Sequence, residues 1–583
     1  MSELNNIVNA VHSFNDETEQ LVDQARTNPA KGTEIMTKWK EIHDKIPHSI
    51  TPTGIKIPRL PLPELDEPGA IARYLHSEGL PGEYPYLSSA YKEMYLDPMG
   101  DDIPPEEPTR LFAGLGTAED TNERFHFLTK NQQSHRLSTA FDGPTLYGMD
   151  SDAPGVFGKI GEGGVAIDTV EDMETLFQGF DFGQPTTSTS MTINGPAPTI
   201  MAMFIAAAKR RFGPEIVAKL RGTVQADILK EVQGQNEILF PVDASLRFLL
   251  DMMQHCNEHI PRWYPVSISG YHISQAGATP IQQAAYTLSN GFAYAEMMRD
   301  RGVPVNVFAP RFSFFFDCGV DAEFIALTRI CRKIWAIGMK NIFNANSRGQ
   351  ILKTHTQTSG RSLVAAEFKN NLTRTAVELI MAYMNGTNSC HSNSADEPFT
   401  TPSEEYVKLA SHGQSIILEE SGLFRHMMNG LSGSPGMKAV EKAVEKAILE
   451  EFEEIHRLGG VLGAMEHRYQ RSQIQAASYR YEKQIFNGER RIIALNRYAE
   501  ETKAPTPELV RIPNDRKQAQ VDKLKAFKLR NQDKAPAALD KLSQVIHSGG
   551  NVFTELIETV ETCSLGQITE RLQKEVGIFR PMV

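Results

Sequence analysis

Four segments of this chain that are predicted to contain strands carry unusually many serine and threonine residues. They are residues 186–194 (TTSTSMTIN), 266–278 (VSISGYHISQAGA), 353–362 (KTHTQTSGRS) and 388–394 (NSCHSNS). Barrels of parallel strands normally fill their interior with layers of Val, Ile and Leu, so that the interior is packed and has no pore. Short hydroxyl side chains at the inward positions would instead leave a polar-lined opening along the axis. We therefore expect these strands to surround a thin, extended ligand.

Strand-like and helix-like segments alternate over residues 84–402. Further strands are predicted at residues 137–142, 223–228 and 305–316, and helices at residues 197–211, 280–301 and 363–384. Repeated βα units imply a parallel sheet, and their number favours a closed barrel over an open sheet. We predict an α/β chain with a (β/α)8 TIM barrel at residues 84–402. A helical and proline-rich arm that contacts a partner or a second copy is predicted at residues 1–83, and a helical linker domain at residues 403–583.

The composition argues against several classes of protein. A net charge of −12 without a basic run argues against nucleic-acid binding. The five cysteines lie far apart with no C-x-x-C pair, which fits a reducing cytosol and predicts no metal site built by this chain alone. The N-terminus is too polar for a signal peptide, and no apolar run reaches the roughly 18 residues of a membrane helix. We expect a cytoplasmic protein that binds neither nucleic acid nor a membrane.

Familiar catalytic motifs are missing, but a few single residues are candidates for binding a ligand. The sequence contains no P-loop, no H-E-x-x-H and no G-x-S-x-G. A lone histidine such as His272 is more often structural, yet His272 follows a predicted strand end, where barrel active sites lie. A neutral imidazole there could donate a hydrogen bond to a ligand carbonyl. Arg311 either makes a salt bridge or binds a phosphate, and Asp396 and Glu397 could simply cap the next helix.

Several segments, in a consistent order, resemble the adenosylcobalamin-dependent acyl-CoA mutases, which form the methylmalonyl-CoA mutase family. These segments are YHISQAGA, SMTIN, GTVQADILKE, FAPR-SFF, H-x-Q-T-S-G-R-S and H-x-N-x-x-D-E. The resemblance extends from about residue 84 to beyond residue 500. RLFAGLGTAEDTNERFHFL, TAFDGPTLYG and TINGPAP are most similar to enzymes of the isobutyryl-CoA mutase type. In that family the pantetheine arm of coenzyme A threads a catalytic barrel, which agrees with the hydroxyl-lined opening expected above.

The resemblance implies roles for five positions near the acyl group. His272 would hydrogen-bond the thioester carbonyl, with Tyr271 beside it at the catalytic site. Phe112 stands where the methylmalonyl enzymes have a tyrosine, and Gln235 where they have the arginine that pairs with a substrate carboxylate. A neutral amide cannot offer a bidentate cationic fork, so the resemblance implies an acyl group without a second carboxylate. Ala140 occupies the position that is aspartate in hydroxyisobutyryl mutases, which disfavours a hydroxylated substrate.

The resemblance also implies which residues line the binding sites of substrate and cofactor. The residues that would contact substrate or coenzyme A are Tyr86, Ser138, Ser188, Ser190, Thr192, Thr223, Gln225, Arg311, Ser313 and Ser389. The residues that would face adenosylcobalamin are Gly114, Gln357, Asn393 and Glu397, with Tyr271. Pro105 stands near the position of a family arginine, which argues against the phosphate contact made there.

The family's cobalamin-ligand motif, D-x-H-x-x-G, is absent, because none of the 16 histidines has an aspartate two residues before it. The resemblance therefore implies a separate small cobalamin-binding subunit that supplies the lower-ligand histidine and so binds the metal. It further implies a possible G-protein chaperone and a dimer of heterodimers. This chain would be the large, substrate-binding subunit.

The reaction implied is a radical rearrangement by an isomerase, an intramolecular transferase that converts isobutyryl-CoA to n-butyryl-CoA. The alternatives are a pivalyl-CoA/isovaleryl-CoA mutase or a methylmalonyl-CoA mutase. A catalytically inactive structural subunit is a hypothesis of a different class. Such a subunit should have lost its site residues, whereas this chain has His272, Gln357 and Glu397.

Overall fold

The computed structural model describes residues 2–96, 112–130, 132, 134–500 and 511–580. The chain forms two compact units, each made of two separate stretches. Unit 1 comprises residues 1–109 and 270–508, and unit 2 comprises residues 110–269 and 509–583. This partition differs from the predicted boundaries at 83/84 and 402/403, and the three-part domain division stays a prediction.

Unit 2 contains a five-stranded parallel sheet whose spatial order follows the chain. Its strands are Phe112–Ala113, His135–Ala140, Thr187–Thr192, Arg221–Val224 and Arg262–Tyr264. The fully buried strand Val266–Ser269 follows, and the Ser267 N–H donates to the carbonyl of Gln225 at 3.0 Å. The βα alternation predicted for this part of the chain is confirmed.

Helices connect these strands, and a helix that is apolar around its whole circumference is buried among other elements. Helix Ala197–Phe212 is buried from Ala197 to Ala208, begins with Pro198 in its first turn and ends at Gly213. The helices of unit 2 are Ala118–Thr129, Gly143–Leu146, Val170–Leu176, Ala197–Phe212, Ile228–Lys230, Val242–His259, Asn514–Arg530, Ala535–Ser548, Val552–Thr559 and Leu565–Val576, with short 3₁₀ or π turns at Phe157–Lys159, Pro214–Lys219 and Glu231–Gln235.

Unit 1 contains three neighbouring parallel strands, Phe312–Cys318, Thr354–Thr358 and Ser389–His391. An antiparallel pair, His48–Ile50 with Lys56–Pro58, lies in the N-terminal stretch. The strand predicted at residues 305–316 was wrong in its first half. Residues Val305–Phe308 form a short helix there, and the strand continues to Cys318.

The remainder of unit 1 is largely helical. Its helices are Leu4–Thr27, Pro29–Lys45, Pro68–Arg73, Tyr271–Gln275, Pro280–Asp300, Val305–Phe308, Leu327–Asn341, Ser347–Gln350, Asn371–Met384, Glu404–Ser415, Pro435–Arg457, Gly460–Glu466 and Tyr469–Phe486, with π turns at Tyr74–Glu78 and Ile416–Glu420 and 3₁₀ turns at Ala309–Arg311, Ala322–Ile325, Gly360–Ser362 and Phe368–Asn370. Across the described ranges, no helix has both the length and the apolarity to cross a membrane.

An α/β chain with parallel sheets is confirmed. Each unit contributes parallel strands with helices in the connections, as βα units require. Closure of these strands into an eight-stranded barrel stays a prediction.

Candidate functional site

In unit 2, the predicted lining residues of neighbouring strands stand in register. Phe112 is partnered with Ser138, Ser138 with Ser190, and Ser190 with Thr223. Because partnered residues of parallel strands point to the same side of a sheet, these four side chains form one row across four strands. The hydroxyls of Ser138 and Ser190 lie 3.3 Å apart. The row ends at Tyr264, which partners Thr223.

The two faces of strand Thr187–Thr192 differ in burial. Burial alternates along it, so that Thr187, Thr189 and Met191 are buried while Ser188, Ser190 and Thr192 are only half-buried. The Thr189 hydroxyl donates to the carbonyl of Leu137 at 2.8 Å, on the packed face. The three predicted lining residues of this strand therefore share a face that the sheet leaves accessible.

Gly114 lies where two strands approach each other closely. A Cβ atom at Gly114 would lie 2.0 Å from the carbonyl oxygen of Ala140, so no larger residue fits without moving backbone. This tight packing supplies a structural reason for Gly114. Its predicted contact with the cofactor stays a prediction.

Gln225 is buried in a chain of polar contacts in unit 2. Its side-chain oxygen accepts a hydrogen bond from Asn194 Nδ2 at 3.0 Å. Asn194 Oδ1 accepts from the Asp227 N–H at 3.0 Å, and Asp227 Oδ2 accepts from the Ser269 N–H at 2.7 Å. These contacts hold the loop after strand Arg221–Val224 against strand Val266–Ser269.

Gln235 belongs to a compact cluster of charged residues in unit 2. Lys230 and Glu231 are fully buried, and Lys230 Nζ lies 2.6 Å from Glu231 Oε1 and 2.5 Å from Gln235 Oε1. Gln235 Nε2 donates to Glu237 Oε1 at 3.0 Å. Burial, together with the charge of Glu231, raises the pKa of Glu237 to about 7. Glu237 was not among the predicted site residues, although its position two residues after Gln235 was a usable signal.

In unit 1, Tyr271 and His272 follow the break at Gly270. A Cβ atom at Gly270 would lie 2.3 Å from Thr287 Oγ1, which explains the glycine. The Gly270 N–H donates to the carbonyl of Phe315 at 2.8 Å. The rings of Tyr271 and Phe315 stack at 4.9 Å, and the half-buried His272 ring meets Phe315 edge-on at 5.7 Å.

The predicted cofactor-facing residues of unit 1 are brought together. Gln357 Nε2 donates to the Tyr271 hydroxyl at 2.9 Å and to Asn393 Oδ1 at 2.7 Å. Glu397 Oε2 accepts from the Ser394 N–H at 3.1 Å. Glu397 is exposed to solvent, and burial together with the Glu397 charge raises the pKa of Tyr271 well above its ordinary value. The group therefore combines two amides, a phenol and an exposed carboxyl.

The four hydroxyl-rich segments do not all turn their hydroxyls to one face. In strand Thr354–Thr358 the threonines are buried, and Thr356 donates to the Thr387 hydroxyl at 2.8 Å. His355 and Gln357 occupy the alternate positions, and His355 is in register with Phe315 and Ser389. The expectation of short alcohols at every inward position was therefore wrong for this strand, because threonine also suits the packed side of a sheet.

Other predicted lining residues of unit 1 have local roles. His355 Nδ1 lies 2.7 Å from Ser389 Oγ. The carbonyl of Tyr86 accepts from Nε of the fully buried Arg332 at 2.9 Å. Arg311 ends the 3₁₀ turn Ala309–Arg311, and Ser313 follows it on the strand; both are half-buried. Pro105 lies outside the described residues.

Asp317, at the C-terminal end of its strand, was not predicted. It accepts hydrogen bonds from Ser274 Oγ at 2.7 Å, Ser359 Oγ at 3.1 Å and Gln275 Nε2 at 3.0 Å. Burial raises its pKa to about 7. Asp317 joins three segments that follow or end strands, so it supports the loops on which Tyr271 and Gln357 depend.

Comparison with known proteins adds an independent finding. The family model described as methylmalonyl-CoA mutase matches residues 52–578. A fused isobutyryl-CoA mutase of Geobacillus kaustophilus is 44% identical over 557 residues, which cover 91% of this chain and 50% of that protein. The 2-hydroxyisobutanoyl-CoA mutase large subunit of Aquincola tertiaricarbonis is 36% identical over 511 residues, 87% of this chain and 89% of that protein. Human mitochondrial methylmalonyl-CoA mutase is 36% identical over 507 residues, 86% of this chain and 66% of that protein.

The chain spans about half the length of the fused relatives that it matches. The match to the family model nevertheless covers nearly all of the chain, and it includes every predicted site residue. The resemblance noted in the sequence is thereby confirmed. This chain belongs to the methylmalonyl-CoA mutase family.

Proposed function

We propose that this chain is the substrate-binding subunit of an adenosylcobalamin-dependent mutase that converts isobutyryl-CoA to n-butyryl-CoA. The observation that carries the proposal is the set of hydrogen bonds made by the Gln235 side chain. Its amide is held between Lys230 and Glu237, and the Lys230 ammonium is paired with Glu231. This cluster offers no bidentate cation to a second carboxylate, so an acyl group with a purely apolar branch suits it better. The fused isobutyryl-CoA mutases among the relatives support the same substrate class.

The hydroxyl row of unit 2 would bind the extended arm of coenzyme A. Ser138, Ser190 and Thr223 stand in register and present hydroxyls along one line. Hydroxyls can donate to and accept from the amides of a pantetheine chain. A closed eight-stranded barrel threaded by that chain is the architecture we propose, with Arg311, Ser313, Ser389 and Tyr86 as further contacts.

His272 would act on the thioester. A half-buried imidazole beside Phe315 can donate a hydrogen bond to the thioester carbonyl and stabilise charge that develops on its oxygen. Phe112, at the end of the hydroxyl row, would pack against the acyl group. The surrounding aromatic rings would exclude water from reactive intermediates.

Tyr271, Gln357, Asn393 and Glu397 would hold the cofactor. Their two amides, phenol and carboxyl can hydrogen-bond the hydroxyls of an adenosyl group and the amides of a corrin, so their chemistry fits. Adenosylcobalamin, when bound, supplies the radical chemistry of the rearrangement. The chain's own residues bind and orient the thioester next to it.

A small cobalamin-binding subunit is the partner we propose. The Aquincola relative is itself a large subunit, and the present chain covers 89% of it. The partner would supply the lower-ligand histidine. A G-protein chaperone, a dimer of heterodimers and a cytoplasmic location remain predictions.

The test is a survey of substrates. The chain is mixed with a cobalamin-binding subunit and adenosylcobalamin, and acyl-CoA thioesters are followed by chromatography. We expect isobutyryl-CoA to be converted faster than the others. Faster turnover of pivalyl-CoA would move the proposal to the bulkier branched acyl group. Faster turnover of methylmalonyl-CoA would refute the argument from Gln235, and inactivity with every thioester would favour a structural subunit.

A further inference from the structure

We infer that Glu237 is a specificity-determining residue that repels acyl groups carrying a free carboxylate. The inference rests on the proposed function, because it takes Gln235 to face the acyl group. Repulsion by Glu237 would act in addition to the lack of an arginine at position 235. An amide at position 235 only fails to attract a carboxylate, whereas a carboxylate at position 237 disfavours one.

The geometry places the Glu237 carboxylate in direct contact with the Gln235 amide. Gln235 Nε2 donates to Glu237 Oε1 at 3.0 Å, while Gln235 Oε1 accepts from Lys230 Nζ at 2.5 Å. The amide is thus bound at both ends and has a single orientation. The Glu237 N–H donates to Glu231 Oε2 at 2.7 Å, which holds residue 237 in this position.

The net charge of the cluster of Lys230, Glu231 and Glu237 follows from its three ionisable side chains. Lys230 carries +1 and lies 2.6 Å from Glu231, which carries −1, so these two fully buried groups neutralise each other. Glu237 therefore sets the net charge, which is −1 when it is ionised and zero when it is protonated. A second carboxylate on the acyl group would meet that net negative charge beside the fully buried pair of Lys230 and Glu231.

This arrangement also predicts the outcome of the substitution Gln235→Arg. An arginine at position 235 would stand within reach of the Glu237 carboxylate that Gln235 now contacts. Its guanidinium would pair with Glu237 and be lost to the substrate. Restoring recognition of a carboxylate therefore requires both Gln235→Arg and a neutral residue at position 237.

The repulsion should depend on pH. Burial and the neighbouring Glu231 raise the pKa of Glu237 to about 7, and the other groups facing it are Lys230, Asn194 and Tyr147. Burial and the two glutamates raise the pKa of Tyr147 above its ordinary value of 10, so the phenol stays neutral at pH 6 and at pH 8. Discrimination should therefore be stronger at pH 8 than at pH 6. Ionisation of the coenzyme A phosphate is common to all thioesters and cancels in a ratio of affinities.

The experiment measures binding of isobutyryl-CoA and methylmalonyl-CoA to the full chain by calorimetry, without cofactor so that nothing turns over. For Glu237→Gln at pH 8 we expect methylmalonyl-CoA to bind about tenfold more tightly, with isobutyryl-CoA changed less than about twofold. Gln235→Arg alone should gain less than about threefold for methylmalonyl-CoA, and the double variant roughly thirtyfold or more. Glu258→Gln, an exposed glutamate of the same unit, is the matched control.

The wild-type chain provides a test that needs no variant. Its preference for isobutyryl-CoA over methylmalonyl-CoA should fall severalfold from pH 8 to pH 6, and this change should be absent in Glu237→Gln. A preference that is unaffected by both pH and Glu237→Gln, in a chain that binds isobutyryl-CoA, overturns the role of Glu237 and leaves the proposed function intact. A wild-type chain that fails to bind isobutyryl-CoA refutes the proposed function itself.

Discussion

At the scale of single residues, the candidate site depends on groups whose neighbours control their charge. Asp317 and Glu237 both have a pKa raised to about 7, and burial is the largest cause for each. Such carboxyls can be neutral donors or charged acceptors near neutral pH. Glu237, which was not predicted, contacts the predicted residue Gln235, and Asp317, also not predicted, holds the loops that carry Tyr271 and Gln357.

His272 should matter more for turnover than for binding. Replacement by alanine removes a donor to the thioester carbonyl, a loss that usually costs on the order of a hundredfold or more in kcat. We expect KM to change only a few fold, because the coenzyme A contacts remain. Steady-state kinetics with isobutyryl-CoA checks this, and His272→Asn, which retains a donor, should recover part of the rate. Unchanged turnover in the alanine variant would remove His272 from the mechanism.

Asp317 should make stability depend on pH. Its folded pKa of about 7 lies above its ordinary value of 3.8, so its contribution is fully present below pH 3.8 and is lost as pH rises through 7. Relative to Asp317→Asn, the wild-type protein should gain stability by roughly 4 kcal/mol at most as pH falls from 8 to 4.

Urea unfolding at several pH values measures this difference, with tryptophan fluorescence as the probe, since Trp39 and Trp335 lie in the same unit as Asp317. A difference between wild-type and Asp317→Asn that stays constant over this pH range would contradict the assignment.

At the scale of elements, adjacent residues of strand Thr187–Thr192 have different tasks, because one face of the strand packs and the other is proposed to bind ligand. Ser190 is half-buried on the hydroxyl row, and Thr189 is buried on the opposite face with its hydroxyl on the Leu137 carbonyl. The period of two along a strand makes these positions a matched pair.

Ser190→Leu should weaken coenzyme A binding and leave the fold intact, because it fills the accessible face. Thr189→Leu should instead destabilise the protein by about 1–3 kcal/mol through overpacking and loss of the hydroxyl's hydrogen bond. Calorimetric titration with coenzyme A and thermal unfolding distinguish the two. Equal loss of stability in both variants would show that the hydroxyl row is packed rather than open.

Element types were largely predictable because they depend on local periodicity. Helix Pro280–Asp300 and strand Thr187–Thr192 agree closely with the predicted segments, since alternation and helical spacing lie within short windows. Residues 305–308 were misjudged as strand. Their β-branched valines suit a strand, but Pro304 before them opens a short helix instead.

At the scale of the whole molecule, distant parts of the chain complete each unit. In unit 2, Asp150 joins the sheet-bearing stretch to the C-terminal stretch. Its oxygens accept from Ser564 Oγ and the Gly566 N–H, both at 2.6 Å, and lie 2.8 Å from Lys528 Nζ. Asp168 accepts from Gln520 Nε2 at 2.7 Å in the same way.

Asp150→Ala should loosen this connection. The variant leaves the buried Gly566 N–H without its acceptor and removes one carboxylate partner of Lys528, which costs about 1–3 kcal/mol. We expect limited proteolysis to release the C-terminal stretch several times faster than in the wild-type protein. Asp533→Ala, an exposed aspartate on the same stretch, is the control and should behave like the wild type. An unchanged cleavage rate would show that other contacts hold the stretch.

The amino-acid sequence by itself determined the alternating βα elements, the segments rich in hydroxyls and the family of this chain. Each of these follows from residue identity and short-range spacing. Only the tertiary structure decided that residues 110–269 and 509–583 form one unit, that the threonines of strand Thr354–Thr358 face the packed side, and that Glu237 lies against Gln235. These facts depend on which side chains share a buried space, and burial is created by contacts between segments far apart in the chain.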